Sequence, residues 1–132
     1  MAHERFQRAV ELDAQEQRRL LAHLEEIDAA TFEANREVLA RTVGRVDVRR
    51  FKRLACATAQ ARADWVAAAL QMTERPAPPS EEDSARLAGL RAAYEELMHA
   101  YEGMRRMVER GYLCYLDRAE RDEALTLVKR VG

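Results

Sequence analysis

Apolar residues recur along this chain at alternating steps of three and four, the spacing that gathers them on one face of an α-helix. The pattern occurs three times. In the last occurrence Leu87, Leu90, Tyr94, Leu97, Tyr101, Met104 and Val108 form a seam that is apolar or aromatic throughout. In the middle one Phe51, Leu54, Thr58, Ala61, Trp65, Ala68 and Met72 repeat the alternation, with small residues at the centre that let a neighbouring helix come close. The first runs through Leu20, Leu24, Ile27, Thr31, Ala34 and Val38, and Leu21, Phe32 and Leu39 widen it beyond a two-stranded seam. Phe6 and Val10 extend this stripe toward the N-terminus, while Asp13-Ala14-Gln15-Glu16 reads as a capping box able to divide it.

The breaks between these segments have their own chemistry. All three prolines lie in Arg75-Pro76-Ala77-Pro78-Pro79-Ser80, where missing amide protons and the restriction on residues before proline stop a helix. Ser80-Glu81-Glu82-Asp83 follows as a start signal, a hydroxyl able to accept an orphan amide and three carboxylates at the positive end of the helix dipole. Upstream, Gly44 suits a left-handed C-terminal cap and Asp47 the next N-cap. Gly111 ends or bends the third helix, and Asp117 opens a short final helix through Arg130. The expected fold is all-α: an elongated antiparallel bundle of three long helices, each about 25 to 32 residues and so about 40 to 48 Å long, plus a short C-terminal helix, with coiled-coil-like packing. One domain spans 1–132, read as a helical hairpin over 1–74, the linker 75–80 and a second helical part over 81–132.

Composition narrows the function classes. With 132 residues, 48% of them hydrophobic and 34% charged, five glycines and three prolines, the chain is long enough for one packed helical domain and excludes an all-β fold. The charged start Met1-Ala2-His3-Glu4-Arg5 lacks the apolar stretch of a secretory signal, and a cytoplasmic protein is expected. Cys56 and Cys114 form no metal-ligand or redox spacing and are expected to be buried free thiols. The net charge of −1 provides no global field for polyanions.

Four chemistries remain to be weighed. Glu96-Leu97-Met98-His99 is an E-x-x-H, the helix motif of di-iron bundles, but it occurs once, and Leu97 on the seam turns Glu96 and His99 to its flanks. No metal and no cofactor is therefore expected, and a ferritin-like metal-binding bundle is the third-ranked reading. Arg45, Arg49, Arg50, Lys52 and Arg53, preceded by Arg41 and broken by Asp47, form a basic cluster in the first turns of the second helix, where cations oppose the dipole and require something acidic. An acidic partner, either within the chain, such as Glu25, Glu26, Glu33 and Glu37 on the preceding helix, or on another protein, is favoured; phosphate is the alternative, which would make the chain a small helical nucleic-acid-binding subunit of a ribonucleoprotein. Serine is scarce, and His3, His23 and His99 stand in no motif; only Asp64 beside Trp65 suggests a perturbed carboxylate, so no enzyme is expected.

Finally, Tyr94, Met98, Tyr101, Met104 and Met107 combine adaptable thioethers with half-polar rings, side chains that suit a partner-binding surface as well as a helix core. Together these features predict a non-enzymatic helical protein–protein interaction module, an adaptor, assembly factor or export-type chaperone, with protein partners that include a second copy of itself and no membrane. In outline, with no motif shared residue by residue, such an architecture resembles the long-helix chaperones of flagellar and secretion systems.

Overall fold

The computed structural model describes residues 2–131, the side chains of 9–12, 121 and 124 excepted. The chain is all-α: α1 (Ala2–Thr42), α2 (Val48–Glu74) and α3 (Glu81–Glu109) are long, and α4 (Arg118–Val131) is short. At 1.5 Å per residue the 41 residues of α1 reach about 62 Å, well beyond the length expected from the capping signals. Asp13 and Glu16 interrupt nothing, because a capping box is useful only where the chain leaves the helix, and here the helix runs through it.

The other boundaries follow their local chemistry. Asp47 caps α2, its carboxylate accepting the Arg50 amide at 3.1 Å. Ser80 caps α3 in a reciprocal box: the Asp83 amide donates to Ser80 Oγ at 3.1 Å and the Ser80 amide to Asp83 Oδ2 at 2.9 Å. Asp117 and Glu120 make the same exchange at the start of α4. Gly111 takes φ 77° after α3, its amide donating to Val108 O and the Tyr112 amide to Met107 O, so that the orphan carbonyls of the last turn are satisfied. Gly44, also at φ 77°, ends α1.

Packing between helices is concentrated between α2 and α3. Every seam residue of both is buried or half-buried, with Thr58, Ala68 and Met72 fully inside. The hairpin is therefore built across the proline linker, with its corner pinned by an Arg75–Asp83 ion pair at 2.9 Å, rather than within 1–74. The α2 seam is taken up by α3, while Val66 and Leu70 on another side of α2 remain exposed and are not covered by α1.

The open end of the hairpin is closed by its two turns. Val46, with no exposed surface, forms an isolated parallel bridge with Tyr115: its amide donates to Cys114 O at 2.9 Å and its carbonyl accepts from Leu116 N at 2.8 Å. Leu113 is buried beside it in sequence. Phe51 sits between Tyr101, edge-on with centroids 6.1 Å apart, and Tyr115 at 6.2 Å. Only the last turns of α1 join this junction, through Phe32, whose ring lies 5.6 Å from that of Tyr112 and 3.6 Å from a Cβ built on Gly111.

Candidate interaction surfaces

The α1 stripe does not face the rest of the chain. Leu20, Leu24, Ile27, Thr31, Ala34 and Val38 are all exposed, Leu20 and Ile27 at 58%. The half-buried residues of α1 in its last turns are instead Phe32, Asn35 and Leu39, so two of the three positions that widened the stripe carry the intramolecular contact, while Leu21, the third, is exposed with the stripe itself. Phe6, which extends it, is exposed; Val10 lies outside the described residues. The chain as a whole exposes 11096 Å², about 4,000 Å² above the roughly 7,100 Å² expected of a compact monomer of its mass.

The aromatic and methionine residues singled out in the sequence are placed in the hairpin. Tyr94 stacks on Trp65 with centroids 5.9 Å apart and planes 17° from parallel; the Arg62 guanidinium lies 5.1 Å from the Tyr94 centroid, and the Tyr94 hydroxyl donates to Met98 Sδ at 3.2 Å. Tyr101 meets Phe51, and Met104 and Met107 are half-buried. Much of the surface of these five side chains is already spent on α2 and the junction. Where Met98 and Tyr101 do reach the surface they line a cleft of about 420 Å³ with Thr58, Arg62, Glu102 and Arg105.

The basic cluster is brought together at the root of α2. Arg45, Asp47, Arg49, Arg50, Arg53 and Leu116 surround a depression of about 260 Å³; Lys52 is exposed on the same helical turn. The internal partner of the cluster is not a carboxylate of α1. Arg50 donates through one guanidinium nitrogen to Val43 O at 2.8 Å and Arg45 O at 2.9 Å, carbonyls just beyond the C-terminal end of α1. These acceptors need a cationic donor more than the outward-turned Glu25, Glu26, Glu33 and Glu37 do. The ion pairs Arg75–Asp83, Arg91–Glu95 and Arg106–Glu102 lie elsewhere in the chain.

The remaining chemical candidates are dispersed. Glu96 and His99 are exposed on the flanks of the α3 seam, and among the described residues no three His, Cys, Asp or Glu side chains are grouped to hold a metal ion. Asp64 is exposed and accepts a hydrogen bond from Gln60 Nε2 at 2.8 Å. Cys56 and Cys114 are free but exposed, contrary to the expectation of burial: Cys56 lies off the α2 seam, and the junction is filled by the neighbours of Cys114, Leu113 among them. The Asp83 carboxyl is held below the usual range by the Ser80 amide and then by the Arg75 guanidinium. Among the described residues no helix is long and apolar enough to cross a membrane.

No family model matches the chain, and neither a curated protein nor a solved structure is similar to it. Any functional reading therefore rests on these surfaces alone.

Proposed function

We propose that the chain is a non-enzymatic helical protein–protein interaction module that presents α1 to other chains, in the manner of an adaptor, assembly factor or export-type chaperone. One observation supports this above the rest: a stripe with the periodicity of a buried seam has no intramolecular partner. Burying a Leu or Ile side chain contributes about 1.5 to 3 kcal/mol, so Leu20, Leu24 and Ile27 together represent a substantial free energy that folding of the single chain leaves unused. A long isolated helix is also marginal by itself in water, and an amphipathic one gains its stability from packing. The test is affinity recovery of the native complex from cell extract, with and without nuclease, using the intact chain and a Leu24→Glu, Ile27→Glu variant. The expected result is recovery that survives nuclease and is lost in the variant; recovery abolished by nuclease and unaffected by the variant would overturn the reading.

A second reading is favoured by Arg45, Arg49 and Arg53 around the depression at the root of α2: a small subunit that lays this cluster along nucleic-acid phosphate. Asp47 in the same depression and the net charge of −1 weigh against it. Binding to RNA or DNA that falls steeply between about 50 and 200 mM salt, and is lost on Arg49→Ala with Arg53→Ala, is the outcome that would favour it.

A further inference from the structure

We propose that α4 is a strap that closes over the cleft between α2 and α3 in the free chain, covering Met98 and Tyr101 until a partner displaces it. The inference stands apart from the reading of α1 and uses different residues. Two depressions on one side of the hairpin, of about 310 and 420 Å³, share Tyr101 and Arg105 and so form a single cleft. It begins at Val48 and Tyr115 and runs past Ala55 and Ala59 to Arg62. The two alanines lie four residues apart on one flank of α2, and their small side chains let another helix approach closely.

The root of α4 is fixed at the mouth of this cleft. Tyr115 lines the cleft and stands three residues before α4 begins at Arg118. Its bridge to Val46 is parallel, so the chain enters α2 and α4 side by side and heading the same way. Lengths match as well: from Val48 to Arg62 the cleft follows α2 for about 21 Å, and the 14 residues of α4 also span about 21 Å. Leu127, Val128 and Val131 share one face of α4, and in the open position seen in the structure they are 57%, 70% and 90% exposed. A helix this short is marginal in water and gains its stability by packing such a face.

Charge agrees with this seat. Glu120 stands seven residues before Leu127 and eleven before Val131, so it lies on the same face and comes down beside Arg105. Glu109, at the junction end of the cleft, is placed beside the first turn of α4, the positive end of its dipole. Arg62, at the far end, is placed beside its last carbonyls, the negative end. Of the basic residues in the last turn, Lys129 projects away from the apolar face and Arg130 stands at its edge. With the strap down, Met98 and Tyr101 are covered, and another chain reaches them only when α4 lifts.

Disulfide trapping in the full chain tests the closure. With Cys56→Ser and Cys114→Ser in place, Val128→Cys is combined either with Ala59→Cys in the cleft or with Ala57→Cys on the opposite side of α2, both exposed positions. Counted from the helix starts, positions 128 and 59 stand at nearly equal heights, about 15 and 17 Å. Under mild oxidation the 59/128 chain is expected to close an intramolecular disulfide at least about tenfold faster than the 57/128 chain. Equal rates, or no intramolecular product, would overturn the proposal; a product that links two chains would give the cleft to a second copy and overturn it equally. Hydrogen exchange checks the closure without introduced thiols. Amides of residues 125–131 are expected to exchange about tenfold more slowly in the unsubstituted chain than in an Ala59→Glu chain whose α2 and α3 amides are unchanged. Identical exchange in the two chains would sink the proposal, and the nuclease-controlled recovery decides the reading of α1 separately.

Discussion

The α2–α3 hairpin and α1 carry the same three-and-four alternation, yet one seam is closed and the other is open. In the hairpin, Trp65 meets Tyr94, Phe51 meets Tyr101, and Ala68 and Met72 vanish from solvent. In α1, Leu20, Leu24 and Ile27 hold equivalent positions and touch little but water. The difference lies in complementarity rather than in hydrophobicity. Small residues at the middle of α2 receive the large ones of α3, whereas the exposed apolar residues elsewhere, Val66 and Leu70 on α2 and Leu125 and Val128 on α4, are not packed on α1. Periodicity says that a face is made to be covered; what covers it depends on the inventory of the remaining faces.

The comparison can be broken from either side. The largest effect on binding is expected from Leu24→Glu. The substitution removes the burial of one leucine from the open stripe, about 1.5 to 3 kcal/mol, and binding of a recovered partner chain should weaken by about one to two decades with the hairpin's melting unchanged. Met72→Ala attacks the closed seam instead: deleting this buried side chain should cost the fold about 2 to 5 kcal/mol, read by denaturant unfolding, while the α1 contact at a given folded concentration is unaffected. Gly111→Ala is smaller. The added Cβ meets Phe32 only at ordinary contact distance, so the cost of about 1 to 2 kcal/mol comes from holding alanine at φ 77°.

The smallest effect is a pH dependence at the closed corner. Asp83 is held below the usual carboxylate range, so its contribution is complete at neutral pH and is lost as the pH falls through the ordinary aspartate range and then through its own lowered value. Asp83→Asn should lower the melting temperature at pH 7 and flatten its decline toward about pH 3, as measured by circular dichroism.

Much of this fold was legible in the residues. Ser80 with Asp83, Asp47, Gly44, Gly111 and Asp117 mark helix ends through local hydrogen bonding or positive φ, which depends on a few neighbouring positions. The α2 and α3 seams were legible for the same reason. The length of α1 was not, because Asp13 and Glu16 carry the residue types of a cap without the backbone departure that makes one. The pairing of helices was not legible either: a proline linker reads as a divide between 1–74 and 81–132, whereas here it is the corner that lets two stripes fold onto each other. Tyr94 and Met98 satisfied each other through a hydroxyl–thioether contact, an outlet for the polar end of the ring that residue types alone do not specify. The α1 stripe was visible as a pattern, but its exposure followed from global packing.

The bridge between Val46 and Tyr115 gives the molecule a mechanical character. Two backbone hydrogen bonds fasten the turn after α1 to the turn before α4, and Arg50 donates to the carbonyls of that same turn, so the base of the long helix is tied to the hairpin. Loosening Val46 should therefore alter the angle at which α1 leaves the hairpin before it alters the packing of the hairpin itself.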